Sequence, residues 1–220
     1  MVRIAIDGPS GSGKSTLAKA VARELGIIYV DTGALYRTVG YFVYENGKDP
    51  HNAHEVGALL PNIDIELKYE NGAQKVILNG EDLGDKIRMP QMSMYASAVS
   101  SIPEVRKFLL EMQKKMAREN SVVMDGRDIG TVIMPDADLT IFLTASNETR
   151  AHRRTLELQS KGVCISFEEV FNDMIERDKQ DKNRDIAPAV PAEDAIIFDN
   201  SVMTVEESLA EIVRLINERK

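Results

Sequence analysis

Residues Gly8-Pro-Ser-Gly-Ser-Gly-Lys-Ser15 carry the sharpest chemistry in the chain. They fit the spacing G-x-x-x-x-G-K-[ST] in full, between an apolar, β-rich run at residues 2–6 and a helical pattern that begins at Lys14. Glycines let the backbone curl until successive N–H groups point inward, and the helix start adds its positive dipole end. Such a loop cradles the phosphates of ATP or GTP. Lys14 is placed to reach the β- and γ-phosphates, and the Ser15 hydroxyl to ligate the accompanying Mg²⁺. The alternative is a Gly-rich turn that caps a helix and holds no ligand.

A GTPase should also carry an N-K-x-D guanine-reading string, and the nearest, Lys182-Asn-Arg-Asp185, has the wrong order and lies in a charged helical pattern. Larger ATPase classes need more chain and further signatures. ATP is therefore the expected nucleotide, with Gly8, Pro9, Ser10, Gly11, Ser12, Gly13, Lys14, Ser15 and Thr16 as its binding set. A kinase for a small molecule fits the length best.

Arginine placement supports that reading. Arg37, Arg106, Arg127, Arg150, Arg153, Arg154, Arg177 and Arg184 lie near predicted strand ends or on the helices between them. If residues 177–184 are helical, Arg177, Asp181 and Arg184 share one face. Each arginine singly could belong to a solvated charged surface. As a set they suit transfer between two phosphates, because planar guanidinium forks match clustered phosphate oxygens. An acceptor that is itself a phosphate is already ionised near neutral pH, so His51, His54 and His152 need no catalytic role.

Strands are expected at residues 2–6, 27–30, 122–124, 139–143 and 195–198, and helices at 14–25, 32–46, 103–119 and 204–218. Strands separated by helices imply a parallel sheet covered on both faces, an α/β three-layer fold. Residues 62–85 break the rhythm. Alternating runs at 63–69 and 76–78, with turns at Glu70-Asn71-Gly72 and Asn79-Gly80, read as a small β-meander inserted into the fold.

The 220 residues, 43% hydrophobic, can bury one substantial core, so one domain with insertions is expected. The formal charge of −8 argues against tracking a nucleic-acid polymer, whose affinity comes from clustered cations releasing counterions. A single cysteine, Cys164, excludes an intramolecular disulfide and suits a reducing compartment. No apolar run is long enough to span a bilayer, and the first residues turn polar too early for a secretory segment. A cytoplasmic protein is expected. From the residues alone, a kinase for another metabolite and a nucleotide-gated binding protein both stay open.

The chain resembles the bacterial-type cytidylate kinases among the nucleoside monophosphate kinases, essentially from end to end. The resemblance rests on Ile6-Asp-Gly-Pro-Ser-Gly-Ser-Gly-Lys-Ser-Thr16, Asp31-Thr-Gly-Ala-Leu-Tyr-Arg37, Val122-Val-Met-Asp-Gly-Arg-Asp-Ile-Gly-Thr131, Ala151-His-Arg-Arg154 and Arg177-Asp-Lys-Gln-Asp-Lys-Asn-Arg184. It implies a five-stranded parallel sheet in one domain over 1–220. Within it fall a monophosphate-binding region near 32–110, bearing the insertion at 62–85, and a lid with flanking helices near 147–185. It implies ATP-dependent phosphorylation of CMP and dCMP by a monomer. Thr32, Tyr36, Arg37 and Arg127 then hold the acceptor phosphate, while Ser97, Arg106 and Asp128 read cytosine. Arg177, Asp181 and Arg184 contact ribose and phosphate. Lys14, Arg127, Arg153 and Arg184 form the implied catalytic set, and Ser15 the metal contact; Asp125 ends a buried strand, as a Mg²⁺-organising carboxylate should, with action only through water left open. For Asp128 two other uses stay open: capping a turn, or pairing with Arg127.

Overall fold

The computed structural model describes residues 1–70, 73–89, 91–160 and 162–219. The chain opens with β1 (Arg3–Asp7), α1 (Lys14–Leu25), β2 (Ile28–Asp31) and α2 (Thr32–Glu45), then α3 (Ala53–Leu59). The meander follows as β3 (Ile65–Glu70), β4 (Ala73–Leu78) and β5 (Glu81–Asp82). Then come α4 (Met92–Ser100), α5 (Pro103–Glu119), β6 (Val122–Gly126), β7 (Leu139–Thr144), α6 (Asn147–Ser160), α7 (Phe167–Asn183), β8 (Ile196–Asp199) and α8 (Val205–Glu218).

The main sheet has the order β2-β6-β1-β7-β8, and every pairing is parallel. Its central strands are buried on both faces, as covering helices require. Leu17, Val21, Ile212 and Ile216 of α1 and α8 pack one face, and Ala117 with Ile129, Ile133 and Met134 packs the other near β6. A separate cluster joins α2, α4 and α5 to the meander through Leu35, Val39, Met92, Val99, Val105, Ile65 and Val76. A fourth, built on Ala151, Val170 and Met174, belongs to α6 and α7 alone. His152 stacks on Phe167 there, 4.4 Å between ring centroids, which gives that histidine a packing role.

The expected parallel sheet, its five strands and the meander are present. Strand ends differ in an instructive way. The expected limits stop short of Asp7, Asp31, Gly126 and Asp199, yet the ladder continues through all four. An aspartate reads as a breaker in a sequence pattern, but its backbone pairs like any other. Registry then aligns Ile6 and Asp31 with Asp125, and Asp7 with Gly126, so three carboxylates meet at one edge of the sheet. In the meander, Asn79 (φ 50°) and Gly80 (φ 87°) form the expected tight turn, since such a hairpin needs positive φ at both positions. The turn expected at 70–72 falls partly on residues 71–72, outside those described.

Helix α4 gave no periodic signal because Met, Ser and Ala dominate it. It exists because α2 leaves room: a side chain at Gly40 would meet the Tyr95 Cβ at 2.9 Å.

Packing by itself requires a glycine at position 8. Its φ is +149°, and a Cβ there would lie 2.0 Å from the Leu143 carbonyl oxygen of β7. Gly8→Ala should therefore lower stability by about 3 kcal/mol in denaturant melts run without nucleotide. An unmoved midpoint would assign the glycine to ligand binding alone.

Candidate active site

The carboxyl ends of β1, β2 and β6 open into a cavity of about 700 Å³, the edge at which open α/β sheets bind ligands. Ten cationic side chains and five carboxylates line it, so a chain of net charge −8 presents a locally positive cleft. None of the histidines is among the lining residues.

The loop between β1 and α1 turns on Gly11 (φ +71°) and Gly13 (φ +89°). Gly13 caps α1 without any side-chain bond, which leaves the first N–H groups of the helix open to an anion. Ser10, Gly11, Gly13, Lys14, Ser15 and Thr16 face the cavity. Gly8 packs on β7, Pro9 offers its carbonyl to Lys14 at 2.6 Å, and the buried Ser12 accepts from Asn200 through its carbonyl. With only loop oxygens as partners, Lys14 is buried, and burial followed by the Arg127 charge holds its pKa well below the usual lysine range.

Arg150 does not reach the cavity. It donates to the Ser10 carbonyl (2.7 Å) and to Asp178 (2.5 Å), while Asp178 accepts from the Ser10 N–H (3.0 Å). This pair fastens α6 and α7 to the loop. Its role is structural, a correction to its place in the phosphate-facing set.

At the strand ends, Asp125 accepts from the Ser15 hydroxyl (2.8 Å) and the Tyr29 hydroxyl (2.7 Å). Burial, then the charge of Asp31, raises its pKa. A buried carboxylate beside a hydroxyl and a second carboxylate suits a divalent cation. Among the described residues no cluster of three or more His, Cys, Asp or Glu could hold a metal unaided. Thr32 donates its hydroxyl to the Asp125 carbonyl (2.7 Å). Asp31 caps α2 through the Ala34 N–H and binds Arg37 at 2.7 Å, with Arg88 3.9 Å from the same oxygen.

Deeper in the cleft, arginines share carboxylates. Arg127 donates to Asp181 (2.9 Å), and Arg184 lies 3.9 Å from the same residue. The burial of Asp181 would raise its pKa, but Arg127, Arg177 and Arg184 outweigh that and hold it low. Asp128 accepts from Arg106 and, at 3.4 Å, from Arg184; Arg127 is not its partner. Arg106 also lies over the Tyr36 ring, 5.5 Å from its centroid. Ser97 lines the same wall. Helix α7 ends at Asn183, so Arg177 and Asp181 are helical but Arg184 is not. The expected common helical face stops there, because Arg184 turns out to donate to the Ala187 carbonyl (2.5 Å) and to Asp128. All three still meet in the cavity.

Arg153 is anchored by Asn200, through the side-chain oxygen (3.0 Å) and the carbonyl (2.8 Å), and Arg154 pairs with Glu157 (2.8 Å). Two nitrogens find no such partner. The Nε atoms of Arg37 and Arg177 are buried without a hydrogen bond among the described residues. Burial, then the Arg127 charge, lowers the Arg177 pKa to about 10. Asn200, Arg88 and Asp31 escaped the sequence reading. Asp31 stood inside a quoted string, whereas Asn200 and Arg88 carry no local signal.

A cytidylate kinase family model matches residues 4–218. A cytidylate kinase of Caldicellulosiruptor bescii is 47% identical over 97% of this chain and 95% of its own length. That of Fervidobacterium nodosum is 47% identical over 99% and 97%. Among solved structures, a shikimate kinase from Bacteroides thetaiotaomicron overlays with a TM-score of 0.50 at 18% identity, covering 98% of both chains; it shares the fold.

Arg177 is a half-buried cation whose Nε has no hydrogen-bond partner among the described residues, with Arg127 and Arg37 as well as Asp181 and Asp178 around it. Arg177→Met should raise the ligand-free denaturation midpoint, by about 1 kcal/mol, and should lessen the further stabilisation conferred by added pyrophosphate. A loss of ligand-free stability would show that the guanidinium is a structural partner.

Proposed function

The chain belongs to the cytidylate kinase family and is a nucleoside monophosphate kinase that phosphorylates CMP; we propose that its cleft uses ATP as donor, with the following division of labour. A phosphate oxygen of CMP attacks the γ-phosphorus of ATP in line. The bond from that phosphorus to the bridging oxygen breaks, and its electron pair leaves on ADP. The attacking oxygen is already ionised, so no side chain has to remove a proton. Catalysis is then positioning and charge neutralisation.

The loop N–H groups and Lys14 hold the triphosphate. Its amine exchanges two neutral loop oxygens for phosphate oxygens, a gain that grows in a buried setting. Ser15, with Asp125 beside it, would hold Mg²⁺, which when bound supplies positive charge to the β- and γ-phosphate oxygens. Thr32, Tyr36, Arg37 and Arg127 receive the acceptor phosphate, and Arg153 and Arg184 add charge where the phosphoryl group passes. Asp128 accepts from the N4 amino group of cytosine, with Ser97 and Arg106 beside it, and Asp181 accepts from ribose hydroxyls. UMP presents an acceptor at the N4 position, so a carboxylate there discriminates by about 1–3 kcal/mol.

The observation that carries this reading is the unpaired guanidinium capacity of Arg37 and Arg177 in the cavity that Lys14 and the loop also face. Buried donors left open are sites for anions. Every residue named lines or borders a cavity of one protomer, so a monomer suffices, and dCMP is a second acceptor. The reaction belongs in the cytoplasm, with its nucleotide pools. No helix among the described residues is long and apolar enough to cross a membrane.

Two outcomes are expected in a coupled ADP-release assay. Lys14→Ala should cut kcat by about a hundredfold or more with the circular dichroism spectrum unchanged, and near-normal turnover would remove the lysine from the phosphate site. Asp128→Ala should narrow the CMP-over-UMP ratio of kcat/KM by about tenfold, a panel of CMP, dCMP, UMP and AMP giving the ratios directly.

A further inference from the structure

Asp7 is a buried carboxylate at the sheet edge that the mechanism leaves without a task. It is 2% exposed and ends β1, next to Gly8. Its two oxygens accept from successive backbone N–H groups 122 and 123 residues away: Ile129 to Oδ1 at 2.9 Å and Gly130 to Oδ2 at 2.8 Å. These are the first two donors of the turn at Ile129–Ile133 that follows Arg127 and Asp128.

Asp128 stands at the N-cap of that turn, where an aspartate ordinarily folds back onto the first free N–H groups. It does not do so here. Its backbone carbonyl accepts from Val132 at 2.9 Å, but its side chain makes no capping bond and points to Arg106 and Arg184. Of the two donors that a capping side chain there would take, Gly130 is already held by Asp7. The close approach needs Gly130, whose added Cβ would lie 2.3 Å from the Thr140 methyl of β7.

We propose that Asp7 caps the turn in trans and so keeps the Asp128 carboxylate turned to the cavity, on Arg106 and Arg184 and toward the acceptor base, which makes Asp7 a specificity-positioning residue. The proposal deepens the assignment of Asp128 to cytosine and rests on it. It also links the strand that carries the triphosphate loop to the strand that carries the base reader, through two hydrogen bonds and no substrate contact.

Asp7→Asn keeps size and shape but turns an amine toward one of the two N–H groups. That donor is left open, and the Asp128 carboxylate is the nearest cap of the right chemistry. The CMP-over-UMP ratio of kcat/KM should fall by about tenfold, as for loss of the base contact, while the KM for ATP stays put. An unchanged ratio in Asp7→Asn, with Asp128→Ala narrowing it, overturns the proposal and spares the cytosine reading. An unchanged ratio in both variants overturns the cytosine reading and the proposal together. Should Asp7→Asn fail to fold, amide exchange in the Asp128→Ala chain decides. Protection at Ile129 and Gly130 is expected to match the parent, because Asp7 supplies the bonds, and loss of protection there means that Asp128 was the cap.

Discussion

Guanidinium groups crowd one end of a parallel sheet in this chain, and the local carboxylates cannot satisfy all of them. Arg127, Arg177 and Arg184 surround Asp181, and Arg106 and Arg184 share Asp128. Bringing like charges together in a buried space is unfavourable unless counter-charges or hydrogen bonds offset it. The structure offsets most of it and leaves a remainder. That remainder is positive charge that phosphate groups would neutralise, in one cleft of an otherwise acidic protein.

The sheet exists to hold those charges in place. Parallel pairing of β2, β6 and β1 brings Asp31, Asp125 and Asp7 to one edge, and each takes a different duty. Asp31 caps α2 and orients Arg37; Asp125 gathers the Ser15 and Tyr29 hydroxyls; Asp7 ties down the turn after Asp128. Three neighbouring carboxylates would repel if they faced one another unpartnered. Each is instead engaged by donors from a different part of the chain.

Helices α6 and α7 carry their own small apolar cluster and meet the phosphate loop through Arg150 and Asp178. These two helices thus have a core of their own and are tied to the loop by polar bonds. The meander, by contrast, shares the core of α2, α4 and α5. Gln74 of β4 reaches the backbone of Asp31, accepting from its N–H at 2.9 Å, so the insertion braces the open edge of β2.

The phosphate loop, the alternation of strands and helices, the Asn79-Gly80 turn and the arginine-rich strings were legible because each is a local pattern. Glycine spacing, residue periodicity and turn chemistry depend on neighbours in sequence. The partners of the charges were not legible. Nothing near Arg150 announces that it braces the loop, nothing near Asn200 that it anchors Arg153, and nothing near Asp7 that it caps a turn over a hundred residues on. Those choices are made when parallel strands bring distant segments within hydrogen-bond reach, and burial then penalises the donors and acceptors left without a partner. Sequence alone determined which chemistry this chain can perform; the tertiary structure decided which of its charges are spent on one another and which remain open for phosphate.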